Sequence, residues 1–132
     1  MAKEFIIQTK MLEVTLWLFE KVNTFPKKQR FVLGQQIENS ALAAIRLIVE
    51  ANNVRTSKAT LDTLDTLNVE LEVLRSLLRI AYELQFIKVS SLGFVTAQID
   101  EVDGASVAVH WANDASAKTR DRPLLDRADS TP

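Results

Sequence analysis

The sequence contains no cysteine, and its 132 residues include a single histidine, His110. Without cysteine the chain has no disulfide, no thiolate ligand for zinc and no thiol nucleophile. One histidine excludes a metal site built from several imidazoles of the same chain. Three glycines and three prolines leave little material for hairpins or for a glycine-rich phosphate loop. These absences argue against most enzyme classes, and we predict a non-enzymatic protein without a cofactor or a bound metal.

An excess of charge of either sign is also lacking, because 16 Lys and Arg residues face 17 Asp and Glu residues, a formal net charge of −1. A chain-wide basic character, the usual footprint of nucleic-acid binding, is therefore absent, and an anionic partner has to be held by a local patch. No apolar run reaches the length of about 18 residues that spans a bilayer, and no signal peptide is recognisable. We therefore expect a soluble, cytoplasmic protein with no membrane partner.

The sequence does contain apolar periodicity, since hydrophobic residues make up 47% of it and recur at helical spacings of three and four. The first predicted helix spans about residues 3–22 and the second about residues 27–52. Pro26 separates them, because proline cannot continue a helix. The predicted buried stripes are Ile7, Met11, Val14, Leu18 and Val22 in the first helix, and Phe31, Gly34, Ile37, Ala41, Ile45, Ile48 and Asn52 in the second.

The third predicted helix has the strongest pattern. Thr56 or Ser57 is suited to cap its start. Its stripe follows the a/d spacing of a bundle seam and consists of Leu64, Leu67, Leu71, Leu74, Leu78 and Ala81. The fourth helix begins after Ser91 and ends near Trp111. Gly104 costs about 1 kcal/mol relative to alanine inside a helix, so we expect either a closely packed neighbour or an irregular helix there.

Four amphipathic helices with short connections predict an all-α, antiparallel, up-down-up-down four-helix bundle over residues 1–112. From residue 113 onward Asp, Arg, Ser, Thr and Pro dominate, and Leu124-Leu125 is the one apolar pair. This composition predicts a disordered C-terminal tail over residues 113–132.

Three segments carry a resemblance to a known family. They are FPKKQRFVLGQQI at residues 25–37, IVEAN at residues 48–52, and LNVELEVLRSLLRIAY at residues 67–82. Together they resemble the accessory variability protein of diversity-generating retroelements. The chain is also similar to the wider group of four-helix proteins encoded within 23S rRNA intervening sequences. The resemblance covers about residues 16–111, and the Leu-Arg-x-Leu-Leu-Arg segment at residues 74–79 favours the retroelement branch.

The resemblance implies a four-helix bundle that assembles into a homopentamer and is not catalytic. It implies two further partners, a reverse transcriptase and its structured template RNA, and a role in mutagenic cDNA synthesis. Members of this family tend to be basic, whereas this chain has a pI of about 5.8. We therefore expect contact with the polymerase to matter more than direct RNA binding. Two alternatives remain: a relative of the intervening-sequence proteins without a polymerase partner, and a general protein-interaction bundle.

Basic residues near the start of the second helix and on the third helix are candidates for nucleic-acid or polymerase binding. The candidate residues are Lys27, Lys28, Arg30, Arg46, Arg75 and Arg79. Guanidinium groups suit bidentate contacts with phosphate or carboxylate. The alternative is equally weighted: lysines at a solvated turn, and arginines that pair with nearby acids of the same chain.

Large apolar side chains at the edge of the first helix exceed what one bundle seam requires. We predict that they form an interface between subunits, because large exposed apolar patches are rare on monomers. The predicted interface residues are Phe5, Leu12, Leu16, Trp17 and Trp111. The alternative is ordinary core packing by bulky aromatic residues.

Overall fold

The computed structural model describes the backbone of residues 2–121 and the side chains of residues 6–106 and of Ala108. Helix α1 is Ala2–Val22. Helix α2 opens with one turn, Lys27–Gln29, passes through a π-helical segment, Arg30–Gly34, and continues as Gln35–Asn53. Helix α3 is Ser57–Glu83 and helix α4 is Val89–Asp121.

The four helices form a closed square. Each helix packs against the next one along the chain, and α4 returns to pack against α1. Because the connections are short, consecutive helices run in opposite directions. No strand occurs within residues 2–121. The predicted all-α, antiparallel four-helix bundle is therefore confirmed.

The core consists of the apolar stripes that the periodicity predicts. Every predicted stripe residue of α1 is buried, and so is every one of α3; Met11, Leu67 and Leu71 are fully inaccessible. Val95, Ile99 and Val102 of α4 complete the interior. Burying each such aliphatic side chain contributes about 1.5–3 kcal/mol, so the helices owe their stability mainly to this shared interior.

Thr56 is the residue that caps α3. Its hydroxyl oxygen accepts a hydrogen bond from the backbone N–H of Ala59 at 3.1 Å, which satisfies one of the N–H groups that have no partner in the first turn. At the other end Gln85 has a positive φ of 67°. The N–H groups of Gln85 and Phe86 then donate to the carbonyls of Tyr82 and Ala81, the Schellman arrangement that ends a helix.

The π-helical segment of α2 was not predicted, and it corrects the expected stripe. Leu33 and Gly34 are both buried, whereas Phe31, predicted to be buried, has 71% of its surface exposed. The widened turn places two successive residues against the core and rotates Phe31 outward. Asn52, also predicted on this stripe, is exposed.

Helix α4 differs from its prediction in two respects. Gly104 is exposed, and a Cβ built on it would meet nothing within 4 Å, so neither a close neighbour nor an irregular helix accounts for it. The helix also continues beyond Trp111 to Asp121, since no proline or glycine interrupts the chain before Pro123. The predicted disordered tail therefore overlaps α4 as far as residue 121, and its remainder, residues 122–132, lies outside the described residues.

Within the part of the chain that the structure describes, none of the helices combines the length and the apolar character needed to cross a membrane.

Candidate nucleic-acid interface

Two of the three connections between helices lie at the same end of the bundle and touch each other. The rings of Phe25 and Phe86 have centroids 5.5 Å apart, and Phe25 is buried. This contact ties the α1–α2 connection to the α3–α4 connection. We call the end of the bundle around this contact the basic end, and its cations are Lys21, Lys27, Lys28, Arg30, Arg79 and Lys88.

The basic end concentrates positive charge in a chain whose total charge is close to zero. Among the described residues, the carboxylates at this end are Glu20 and Glu83, and Glu83 already pairs with Arg79 over 2.7 Å. The acids Glu13, Glu38, Glu70, Glu72, Asp100, Glu101 and Asp103 lie farther along the bundle. The near-neutral total thus hides a separation of charge along the molecule, and a local cationic surface of this kind attracts polyanions.

Lys27 and Lys28 are free cations of the basic end. Both are exposed, and neither forms an ion pair with any side chain that the structure describes. Arg30 is exposed as well, but its Nε donates a hydrogen bond to the carbonyl of Phe25 at 3.1 Å. That bond fixes the base of the Arg30 side chain over the α1–α2 connection. The structure therefore brings these three predicted residues together.

Arg75 belongs to a different environment, and this corrects the predicted patch. Its side chain is only 17% exposed, and its guanidinium contacts Glu72, Asp100 at 2.9 Å and Asp103 at 3.0 Å. Of the two alternatives for Arg75, the structure shows pairing within the chain. The pairing joins α3 to α4, and it engages Nε and both terminal nitrogens of the guanidinium.

The electrostatics of Arg75 agree with this geometry. Partial burial disfavours the charged guanidinium, but the hydrogen bonds to Asp100 and Asp103 and the charge of these carboxylates outweigh it and raise the pKa of Arg75. The second carboxylate oxygen of Asp103, Oδ1, is buried and has no hydrogen-bond partner among the described groups. Removing Arg75 would leave that carboxylate wholly uncompensated, so the residue has a structural role.

Arg79 and Arg46, two further predicted residues, lie in different parts of the bundle. Arg79 is 67% exposed and lies one turn before the end of α3, at the basic end. Arg46 is exposed on α2, but 16 residues of helix separate it from Arg30, a distance of about 24 Å along the axis at 1.5 Å per residue. The structure therefore places Arg46 outside the basic end.

The predicted interface residues of α1 occupy two different sides of the helix. Leu12 and Leu16 are exposed, by 44% and 67%, and Phe19 joins them on the same edge. Trp17 instead packs on Phe94 of α4, with ring centroids 5.6 Å apart. The side chains of Phe5 and Trp111 lie outside the described residues.

A cleft in the described part of the molecule runs between α1 and α4. It has a volume of about 340 Å³, and Ile6, Ile7, Val102 and Ala105 contribute apolar lining. Its cation, Lys10, pairs with Glu101 at 3.0 Å and approaches Glu13. Among the residues that the structure describes, no group of three His, Cys, Asp or Glu side chains is arranged to hold a metal ion.

The sequence reasoning missed two cations of the basic end, Lys21 and Lys88. The outward position of Phe31 follows from the π-helical turn. A signal for Lys88 was available, because in an up-down-up-down bundle the first and third connections lie at the same end. The same signal was available for Lys21, which lies in the last turn of α1. Its ammonium group lies 5.2 Å from the centroid of the Trp17 ring.

The fold and this surface define a class of protein, an antiparallel four-helix bundle with a basic end. Residues 5–111 match the model of the bAvd-like family, and the chain belongs to this family. The predicted resemblance to Avd, the accessory variability protein, is therefore confirmed at the level of the family, and the chain is an Avd-type accessory protein.

A solved structure supports the same fold. A protein of unknown function from the S23 ribosomal protein family of Bacteroides thetaiotaomicron superposes with a TM-score of 0.75 and 16% sequence identity. The alignment covers 82% of this chain and 97% of that protein. At this identity the likeness concerns the fold. No curated protein matches the chain.

Proposed function

We propose that this chain is a non-enzymatic accessory protein of a diversity-generating retroelement. In this proposal it forms an oligomeric scaffold that binds the reverse transcriptase and its structured template RNA and so supports mutagenic cDNA synthesis. Membership of the bAvd-like family supports this assignment. The observation that carries the RNA-binding part is the basic end, where Lys27 and Lys28 are exposed and unpaired among the described side chains.

The mechanism follows from repetition of a modest surface. A single basic end offers few phosphate contacts, and each is weakened by salt. Several copies on one assembly raise the effective concentration of every further contact once the first has formed. A homo-oligomer, of five subunits according to the family resemblance, would thus hold a long RNA firmly although each subunit carries almost no net charge.

The assembly itself requires an apolar contact between subunits. Leu12, Leu16 and Phe19 form an exposed apolar edge of α1, and we assign the subunit interface to this edge. A ring needs heterologous contacts, in which this edge meets a different face of the next subunit. Trp17 is not part of this edge, because it packs on Phe94.

The RNA-binding part is tested by two charge-matched double variants. K27Q/K28Q removes two cations from the basic end, and R55Q/K58Q removes two exposed cations from the opposite end, at the start of α3. We expect K27Q/K28Q alone to weaken RNA binding and to lower the slope of log K against log salt by about 0.7–0.9 per lost phosphate contact. The measurement is fluorescence anisotropy of a labelled RNA hairpin at several salt concentrations.

Two outcomes decide against the proposal. If K27Q/K28Q binds the hairpin with the affinity and salt slope of the parent protein, the basic end is not the RNA-binding surface. If a reverse transcriptase encoded beside the gene does not co-purify with the tagged protein, the polymerase partnership is wrong, and the bundle is better described as a relative of the intervening-sequence proteins.

A further inference from the structure

Phe31 has the largest exposed fraction, 71%, of the large hydrophobic side chains that the structure describes. It does not belong to the core, although its spacing from Gly34 and Ile37 predicts that it should. Its position results from the π-helical segment Arg30–Gly34. Such segments are rare and cost helix stability, and they occur frequently at functional sites.

The surroundings of Phe31 are cationic and polar. Lys27 and Lys28 precede it by four and three residues and therefore lie on the same side of α2, and all three side chains are exposed. Gln35, one turn further on, is exposed too. The first carboxylate along α2 is Glu38. An aromatic ring bordered by free ammonium groups, with no acid near it on its own helix, matches a ligand that combines flat rings with negative charge.

The other exposed aromatic residues lack this combination. Phe94 is 50% exposed, but one side of its ring packs against Trp17. Phe19 is less exposed, 36%, and lies on the apolar edge of α1. Phe31 is thus the described aromatic side chain whose ring is most open to a ligand within the basic end.

We propose that Phe31 is a stacking platform for an unpaired base of RNA, with Lys27 and Lys28 holding the adjacent phosphates. This proposal rests on the proposed function and narrows its substrate to RNA with single-stranded segments. A base in a duplex presents only its edge, whereas an unpaired base offers its face to an aromatic side chain. A second copy that presents the same surface is a poorer occupant, because it would bring ammonium groups against ammonium groups. Contact with a different face of a second copy is one of the outcomes that the test below detects.

The test compares unpaired with fully paired RNA of the same length. F31L removes the aromatic face and keeps an apolar side chain, F31W keeps an aromatic face, and F94L removes an exposed phenylalanine outside the basic end. We expect F31L to weaken binding of the single-stranded RNA by about fivefold or more, from the usual magnitude of base stacking, and to leave duplex binding and the salt slope unchanged. F31W and F94L should retain the affinity of the parent protein, and indole fluorescence of F31W should be quenched by the single strand.

The outcomes separate this proposal from the one on which it rests. If K27Q/K28Q weakens binding to both RNAs while F31L changes neither, the stacking platform is wrong and the basic end remains the RNA-binding surface. If K27Q/K28Q changes nothing, both proposals fail together. If F31L changes the sedimentation coefficient of the parent assembly, Phe31 lies in a subunit contact, which also overturns the stacking assignment. Since Phe31 is exposed, an unchanged thermal midpoint of F31L confirms that the fold is intact.

Discussion

Single residues at helix contacts decide how closely α1 and α2 approach. A Cβ built on Gly34 would lie 2.6 Å from Cγ1 of Val22, which is closer than real atoms come. Val22 is only 3% exposed and is branched at Cβ, so its side chain has little freedom to move aside. Glycine is therefore needed at position 34 because the neighbouring helix leaves no room for a Cβ. The backbone there does not have the positive φ that would itself favour glycine.

We predict that G34A destabilises the protein by up to about 2 kcal/mol. Overpacking costs about 1–3 kcal/mol, and the better helix propensity of alanine, about 1 kcal/mol, offsets only part of it. G104A is the matched control, because that position is open, and it should stabilise the protein by up to about 1 kcal/mol. Chemical denaturation of both variants measures the two changes; equal stabilisation by both would show that α1 and α2 are farther apart than described.

At the scale of the helices, the periodic stripes were predictable and the irregularities were not. The stripe of α3 from Leu64 to Ala81 alternates three and four with no exception, and every member is buried. The π-helical segment has no such signature, because Phe31, Gly34 and Ile37 follow regular spacing and no residue type marks the widened turn. Arg75 shows a second limit of prediction from sequence. Its pairing with Glu72 can be inferred from their spacing, whereas Asp100 and Asp103 contact it only because α3 and α4 pack together.

The C-terminal cap of α3 allows a prediction about the stability of this helix. Gln85 adopts a left-handed backbone with φ of 67°, a conformation that costs a residue with a Cβ roughly 1 kcal/mol and costs glycine far less. We expect Q85G to raise the free energy of unfolding by about 0.5–1 kcal/mol. Q85A, which keeps the Cβ, should give no such gain. Thermal and urea unfolding of the pair measure the difference, and a destabilised Q85G would contradict the cap.

At the scale of the whole molecule, overall charge proved a poor guide to the surface. A net charge of −1 argues against nucleic-acid binding, yet the fold gathers Lys27, Lys28, Arg30 and Lys88 at one end and leaves most of the described acids elsewhere. The first three were predicted as candidates from their position at the start of the second helix. The distance of Arg46 from them along the helix axis follows from the sequence, whereas the pairing of Arg75 with Asp100 and Asp103 depends on how α3 packs against α4.

The proposed assembly gives a prediction for the whole molecule. L12Q/L16Q introduces polar groups on the exposed edge of α1, and we expect it to shift the protein toward smaller species, because the subunit contact loses apolar area. V69Q, at a residue 64% exposed on α3, is the control and should leave the assembly intact. Sedimentation velocity over a range of concentrations reports the species present. A parent protein that stays monomeric at high concentration would remove the scaffold from the proposal.

The ring contact between Phe25 and Phe86 has a consequence for recognition. It holds together the connection that precedes Lys27 and Lys28 and the connection that contains Lys88, so the backbone at these residues is already in place before any ligand arrives. Under the proposed function, RNA binding would then restrict mainly side-chain rotamers and would avoid the entropic penalty of ordering loops. The basic end is in this sense a preorganised surface for the proposed RNA contact.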